Sequence, residues 1–142
     1  MKLVRGHHME TIITFLTPKK LTFYLSEDNT LRQALEKFDA HKFTVVPILD
    51  EEGKFVTTLS QGDVITYVKD KGYFDINDCE KTLIKDLKVY RPYQPVRVDA
   101  NVDEVFLLSL EQNFIPVVDD LNTYIGIIKR RDVIRYLYNK DK

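Results

Sequence analysis

Apolar positions along the chain form short β-rich runs that alternate with stretches of helical spacing. A β-rich stretch at Leu21 to Leu25 precedes Leu31, Ala34, Leu35 and Phe38, whose recurrence predicts an amphipathic helix with one buried face. Asn29 or Thr30, both favoured N-cap types, opens it. Thr44 to Leu49 and Phe55 to Leu59 then read as strands joined by the acidic turn Asp50-Glu51-Glu52-Gly53, and a closing helix starts at Ser60. The succession returns with Val96 to Val98, a helix through Val102, Val105, Phe106 and Ser109 or Leu110 behind Asn101, strands Phe114 to Val118 and Tyr124 to Ile128, and a helix from Lys129. The order β-α-β-β-α, met twice, predicts an α+β fold.

The two passages also match residue by residue. Val45 to Val68, VVPILDEEGKFVTTLSQGDVITYV, aligns with Phe114 to Leu137, FIPVVDDLNTYIGIIKRRDVIRYL, at one offset of 69 residues. Pro47 faces Pro116, Asp50 faces Asp119, Asp63 faces Asp132 and Tyr67 faces Tyr136. Such an internal repeat organises the whole chain. The expected layout is a leader over 1–11, a first repeat over 12–70, a structured linker over 71–91 and a second repeat over 92–139. The leader, with adjacent His7 and His8, resembles in part a cloning remnant with a natural start at Met9. In the linker, Lys71-Gly72 ends a helix and Asn77-Asp78 is expected to cap a short one containing Leu83, Ile84 and Leu87. Ile12, Ile13, Phe15 and Leu16 hold the corresponding place before the first repeat, and Thr17-Pro18 ends that stretch.

Composition narrows the function. With 142 residues, 44% hydrophobic and 30% charged, the chain has the make-up of an ordinary globular protein. A formal net charge of -1 lacks the basic excess of a nucleic-acid or membrane-surface binder, so neither is an expected partner. No apolar run reaches the roughly 18–20 residues of a membrane span, and no signal-peptide pattern occurs, which predicts a cytoplasmic protein. The single cysteine, Cys79, has no intramolecular disulfide partner. No Gly-rich phosphate loop, zinc-ligand spacing or nucleophile with a positioned base is found, so neither an enzyme nor a metal site is expected. His41 reads as a solvated turn residue.

Two runs carry the candidate chemistry. In GIIKRRD, Gly126 to Asp132, the cations Lys129, Arg130 and Arg131 stand at a helix start, where each opposes the macrodipole by a few tenths of a kcal/mol. Either they form a solvated face or they await an anion. In TTLSQGD, Thr57 to Asp63, Ser60 and Asp63 are spaced as a capping box.

The hydrophobic-Pro-hydrophobic strands VVPILD and FIPVVD, with the Gly-h-h-Ser/Thr-x-x-Asp run at the start of each last helix, resemble a tandem pair of cystathionine-β-synthase (CBS) domains, a Bateman module of the stand-alone bacterial type. The resemblance extends from about Ile12 to Leu137 and implies two repeats packed as a pseudo-twofold pair. It further implies regulatory binding of AMP, ADP, ATP, cyclic di-AMP or S-adenosylmethionine in clefts between the repeats, with no required cofactor. By the family pattern Asp63 and Asp132 hold ribose hydroxyls, Ser60 helps hold ribose or phosphate, and Thr44, Val45, Val46, Pro47, Phe114, Ile115 and Pro116 line the adenine pocket. A carboxylate can accept both hydroxyls of a diol, and an apolar slot with backbone edges suits a purine. Copy one has Thr57 where the family has Gly, which would crowd a closely approaching ligand; copy two keeps Gly126 but has Lys129 in place of the hydroxyl residue. Lys129, with Arg130 and Arg131, is therefore expected near phosphate. A homodimer and a separate regulated protein are implied as partners. The alternative is a degenerate CBS pair that dimerises or scaffolds without ligand.

Overall fold

Asp50 and Asp119 turn two hairpins in the same way. Asp50 Oδ1 accepts the backbone N–H groups of Glu52 and Lys54, each at 2.9 Å, and Asp119 Oδ1 accepts those of Leu121 and Thr123, again at 2.9 Å. The turns close through left-handed residues at equivalent positions, Gly53 (φ 81°) and Asn122 (φ 66°), the types that tolerate this conformation. A computed structural model describes residues 11–72 and 74–140. Its strands are β1 (Leu16–Pro18), β2 (Leu25–Ser26), β3 (Val45–Leu49), β4 (Phe55–Ser60), β5 (Val96–Arg97), β6 (Phe114–Val118) and β7 (Tyr124–Lys129). Its α-helices are α1 (Leu31–His41), α2 (Gln61–Lys71), α3 (Ile76–Lys81), α4 (Val102–Leu108) and α5 (Arg130–Lys140). The leader expected over 1–11, with His7 and His8, lies outside the described residues apart from Thr11.

The described chain forms a mixed fold of two sheets, β2-β3-β4 and β1-β7-β6-β5, each with the α-helices of its own repeat. It divides into two compact units. One comprises Phe23–Pro92; the other joins the described residues up to Thr22 with those from Tyr93 onward. The sequence boundary and the spatial boundary therefore differ. The stretch before the first repeat supplies β1, which runs antiparallel to β7 with Leu16, Thr17 and Pro18 opposite Ile128, Ile127 and Gly126.

In the Phe23–Pro92 unit, Leu31, Ala34, Phe38, Val46, Ile48, Leu59 and Val64 form the core. Thr30 caps α1 in a reciprocal box with Gln33, and Asn29 instead accepts the Ser26 N–H. The linker is part of this unit: Leu31 N–H donates to Thr82, Asn29 C=O accepts from Ile84, and Cys79, Ile84 and Leu87 join the core. Asp75, not Asn77-Asp78, caps α3 in a box with Asp78, because the helix begins one residue later at Ile76. Ile84 and Leu87 lie beyond α3, Ile84 in a 3₁₀ turn.

In the other unit Ile12, Phe15, Val102, Val105, Ile115, Val117, Ile128 and Val133 form the core. Each fully buried Val, Leu or Ile contributes about 1.5–3 kcal/mol relative to exposure. The strand expected over Leu21 to Leu25 shrinks to Leu25–Ser26, because Thr22 folds back and donates N–H and Oγ1 to the Lys19 carbonyl (2.9 and 2.8 Å), closing a 3₁₀ turn over Lys19–Leu21. His41 is not merely a solvated turn residue: its ring lies 4.0 Å from Phe23 and stacks on Phe43 at 5.5 Å.

Candidate functional site

Proline in the middle of a sheet removes a ladder donor, yet Pro47 and Pro116 sit in β3 and β6, each flanked by strands. The neighbours β2 and β5 are short enough to permit it. β2 pairs only with Ile48 and Leu49, and β5 only with Val117 and Val118. Val45–Pro47 and Phe114–Pro116 thus leave one backbone edge without a strand. Val46, Pro47, Ile115 and Pro116 are buried, Val45 and Phe114 half-buried, and Thr44 is exposed.

The helix that follows each hairpin starts with a tie back to the loop before the central strand. Gln61 N–H donates to Thr44 C=O at 2.9 Å, and Gln61 Nε2 donates to Phe43 C=O at 2.6 Å. At the equivalent place Arg130 N–H donates to Asn113 C=O at 3.0 Å, and Arg130 Nε donates to the carbonyls of Gln112 (3.1 Å) and Ser109 (2.8 Å). Arg130 therefore holds carbonyls left at the end of α4, where a cation is favourable. Arg131 extends into solvent with its side chain 69% exposed, and Lys129 ends β7 opposite Phe114.

The two aspartates of the repeat differ. Asp63, 5% exposed, is held by backbone at both oxygens: Oδ2 accepts Ser60 N–H at 2.9 Å and Oδ1 accepts Tyr90 N–H at 3.1 Å. Ser60 Oγ accepts Asp63 N–H at 3.0 Å, completing a capping box. Asp132 has a side chain 30% exposed, 3.7 Å from Arg135 and 4.0 Å from Arg131.

Each aspartate borders a cavity inside its own unit. One of about 620 Å³ is lined by Thr14 to Thr17 on one side and by Asp132, Arg135, Tyr136, Asn139 and Lys140 of α5 on the other. The other, about 300 Å³, is lined by Asp63, Tyr67, Asp70 and Lys71 of α2 and by Asp86, Lys88 and Tyr90. Asp63, Tyr67, Asp70 and Lys71 stand at the repeat positions of Asp132, Tyr136, Asn139 and Lys140. Even the ring contacts match, with Lys71 Nζ 5.1 Å from the Tyr67 centroid and Lys140 Nζ 5.6 Å from that of Tyr136.

Of the residues singled out from sequence, only Asp63 and Asp132 line these cavities. Thr44, Val45, Val46, Pro47, Ser60, Phe114, Ile115, Pro116, Lys129, Arg130 and Arg131 are outside the linings. Arg135, Tyr136, Asn139 and Lys140 were not singled out, although their spacing from Asp132 puts all five on one helical face. Thr57 also needs a new account. A Cβ on Gly126, whose φ is 153°, would lie 2.2 Å from the Thr17 carbonyl and 2.9 Å from Leu16 Cδ1. Glycine is required there by β1; at Thr57, on the outer strand β4, no further strand lies alongside.

A family model for the CBS domain matches residues 19–70 and 84–139. The chain is 24% identical over 155 residues to an uncharacterized protein of Methanocaldococcus jannaschii, MJ1426, covering 89% of this chain and 90% of that one. Its fold is similar to that of CbpB solved in complex with c-di-AMP, with a TM-score of 0.84, 18% identity and coverage of 98% and 94% of the two chains. It is also similar to CBSX2 solved in complex with AMP, with a TM-score of 0.71, 25% identity and coverage of 93% and 98%.

Proposed function

Because this chain belongs to the CBS-domain family, with two copies in tandem, we propose that it is a non-catalytic regulatory module that binds an adenosine-containing nucleotide and passes its occupancy to a partner protein. The observation that carries this reading is the pair of equivalent cavities, each bordered by the repeat's aspartate, tyrosine and lysine. Asp132 is the ribose-holding group, since its carboxylate is open to the cavity in a way that Asp63 is not. The strand edges at Val45–Pro47 and Phe114–Pro116, where no strand lies alongside, are the proposed backbone partners of the adenine rim, with the prolines lacking an N–H and the Phe114 carbonyl already accepting from Gln112 Nε2. AMP, ADP, ATP and cyclic di-AMP are the candidate ligands; the proteins of similar fold solved with c-di-AMP and with AMP support that choice.

Thermal denaturation with each nucleotide tests the reading. A ligand at about 100 times its dissociation constant adds roughly 2.7 kcal/mol of stability. Asp132→Ala should remove most of the shift, and no shift with any of the four nucleotides would refute the reading. The backbone hold on both oxygens of the buried Asp63 favours, for the first repeat alone, the reading of a repeat kept for structure.

The module is proposed to work as a homodimer built through helices. Leu35 and Ile65 are exposed on α1 and α2, and Ile134 and Tyr138 on α5, with Leu107 and Leu110 at the end of α4. Exposed apolar side chains on helices are the usual material of a subunit contact.

A further inference from the structure

The two cavities share a plan but not a charge. Around Asp132 the charged lining is one carboxylate against two cations, Arg135 and Lys140. Around Asp63 it is three carboxylates, Asp63, Asp70 and Asp86, against the ammonium groups of Lys71 and Lys88. Of the α5 residues that line the Asp132 cavity, two differ in charge from their repeat counterparts: Arg135 stands for Thr66, and Asn139 for Asp70. Both changes make the Asp132 cavity more positive.

Arg135 is also free to exchange partners. Its Nη1 stands 3.7 Å from Asp132 Oδ1 with the side chain 66% exposed, a long contact in high dielectric. Such a pair holds its members weakly. A phosphate offers the guanidinium two parallel, charge-assisted hydrogen bonds instead. It would leave Asp132 to accept the sugar hydroxyls of the same molecule. Lys140, one further turn along the same face, is held over the Tyr136 ring and adds a second positive charge to the cavity.

We infer that Arg135, assisted by Lys140, is the specificity-determining residue that makes the Asp132 cavity the phosphate-accepting site of this chain, while the Asp63 cavity accepts no nucleotide phosphate. The inference rests on the nucleotide-binding reading above and adds which cavity is filled and which group selects. At the Asp63 cavity the Tyr90 N–H holds the second carboxylate oxygen, and three carboxylates oppose an incoming anion.

Calorimetric titration of the full chain with AMP and, separately, with adenosine tests this. The wild type should bind one AMP per chain. Arg135→Thr, which installs the first repeat's residue, should weaken AMP by at least about tenfold while changing adenosine by less than about threefold. Arg135→Lys, retaining charge without the fork, should recover part of the AMP affinity. Circular dichroism and the unchanged adenosine affinity show that these variants are folded. Two AMP per chain, or equal weakening of AMP and adenosine in Arg135→Thr, overturns the inference while leaving the nucleotide reading intact. Absence of AMP binding to the wild type overturns the inference, and absence of binding by ADP, ATP and cyclic di-AMP as well overturns both.

Discussion

Arg130 shows how a single side chain can look like a ligand group and serve the backbone. Its guanidinium bridges the Ser109 and Gln112 carbonyls, as Gln61 reaches the Phe43 carbonyl one repeat earlier. Removing it strands acceptors at the end of α4, so Arg130→Ala should lower stability by about 1–2 kcal/mol in urea denaturation. Gln61→Ala, breaking one neutral bond, should cost about 0.5–1.5 kcal/mol. Cys79 gives a second outcome at this scale. Burial, reinforced by the charges of Asp78 and Asp75, raises its thiol pKa, so the nucleophilic thiolate is scarce near neutral pH. Labelling by a maleimide should be slow in the native protein and fast in urea. Neither the Arg130 tie nor the Arg135 assignment was legible as a local pattern. The carbonyls that Arg130 holds lie 18 and 21 residues away. Arg135 gains meaning only beside the helical face it shares with Asp132 and a cavity wall drawn from Thr14 to Thr17.

At the scale of elements, the hairpins were readable because every constraint on them is local: an aspartate that ties the turn, a residue that tolerates left-handed backbone, and two apolar strands. Their repetition made the second hairpin a check on the first. Gly126 was readable as a special position but not for its reason, since β1 arrives from more than a hundred residues earlier. Gly126→Ala would press a methyl group into the Thr17 carbonyl, and the expected loss is at least about 2 kcal/mol. Thr57→Gly meets no such strand; it should cost only the roughly 0.5–1 kcal/mol of placing glycine in a strand. Comparable losses from both substitutions in thermal melts would remove β1 as the explanation for the glycine.

For the whole molecule, α1, α2 and α5 each leave an apolar residue in solvent. If those residues meet a second copy, Ile65→Glu combined with Ile134→Glu should halve the mass measured by light scattering at micromolar concentration without unfolding either core, because Val64 and Val133 supply the buried contacts. An unchanged mass would exclude these helices as the contact. No helix among the described residues is long and apolar enough to cross a membrane. The place of β1 in the sheet of the second repeat has a temporal consequence. During synthesis it leaves the ribosome about 110 residues ahead of β7, a wait of about 5–20 s at ordinary translation rates. A strand kept waiting that long is exposed to pairing with a neighbouring nascent chain. Leu16-Thr17-Pro18 is well made for the delay: three residues, one of them unable to donate to a ladder, offer a foreign edge very little to hold.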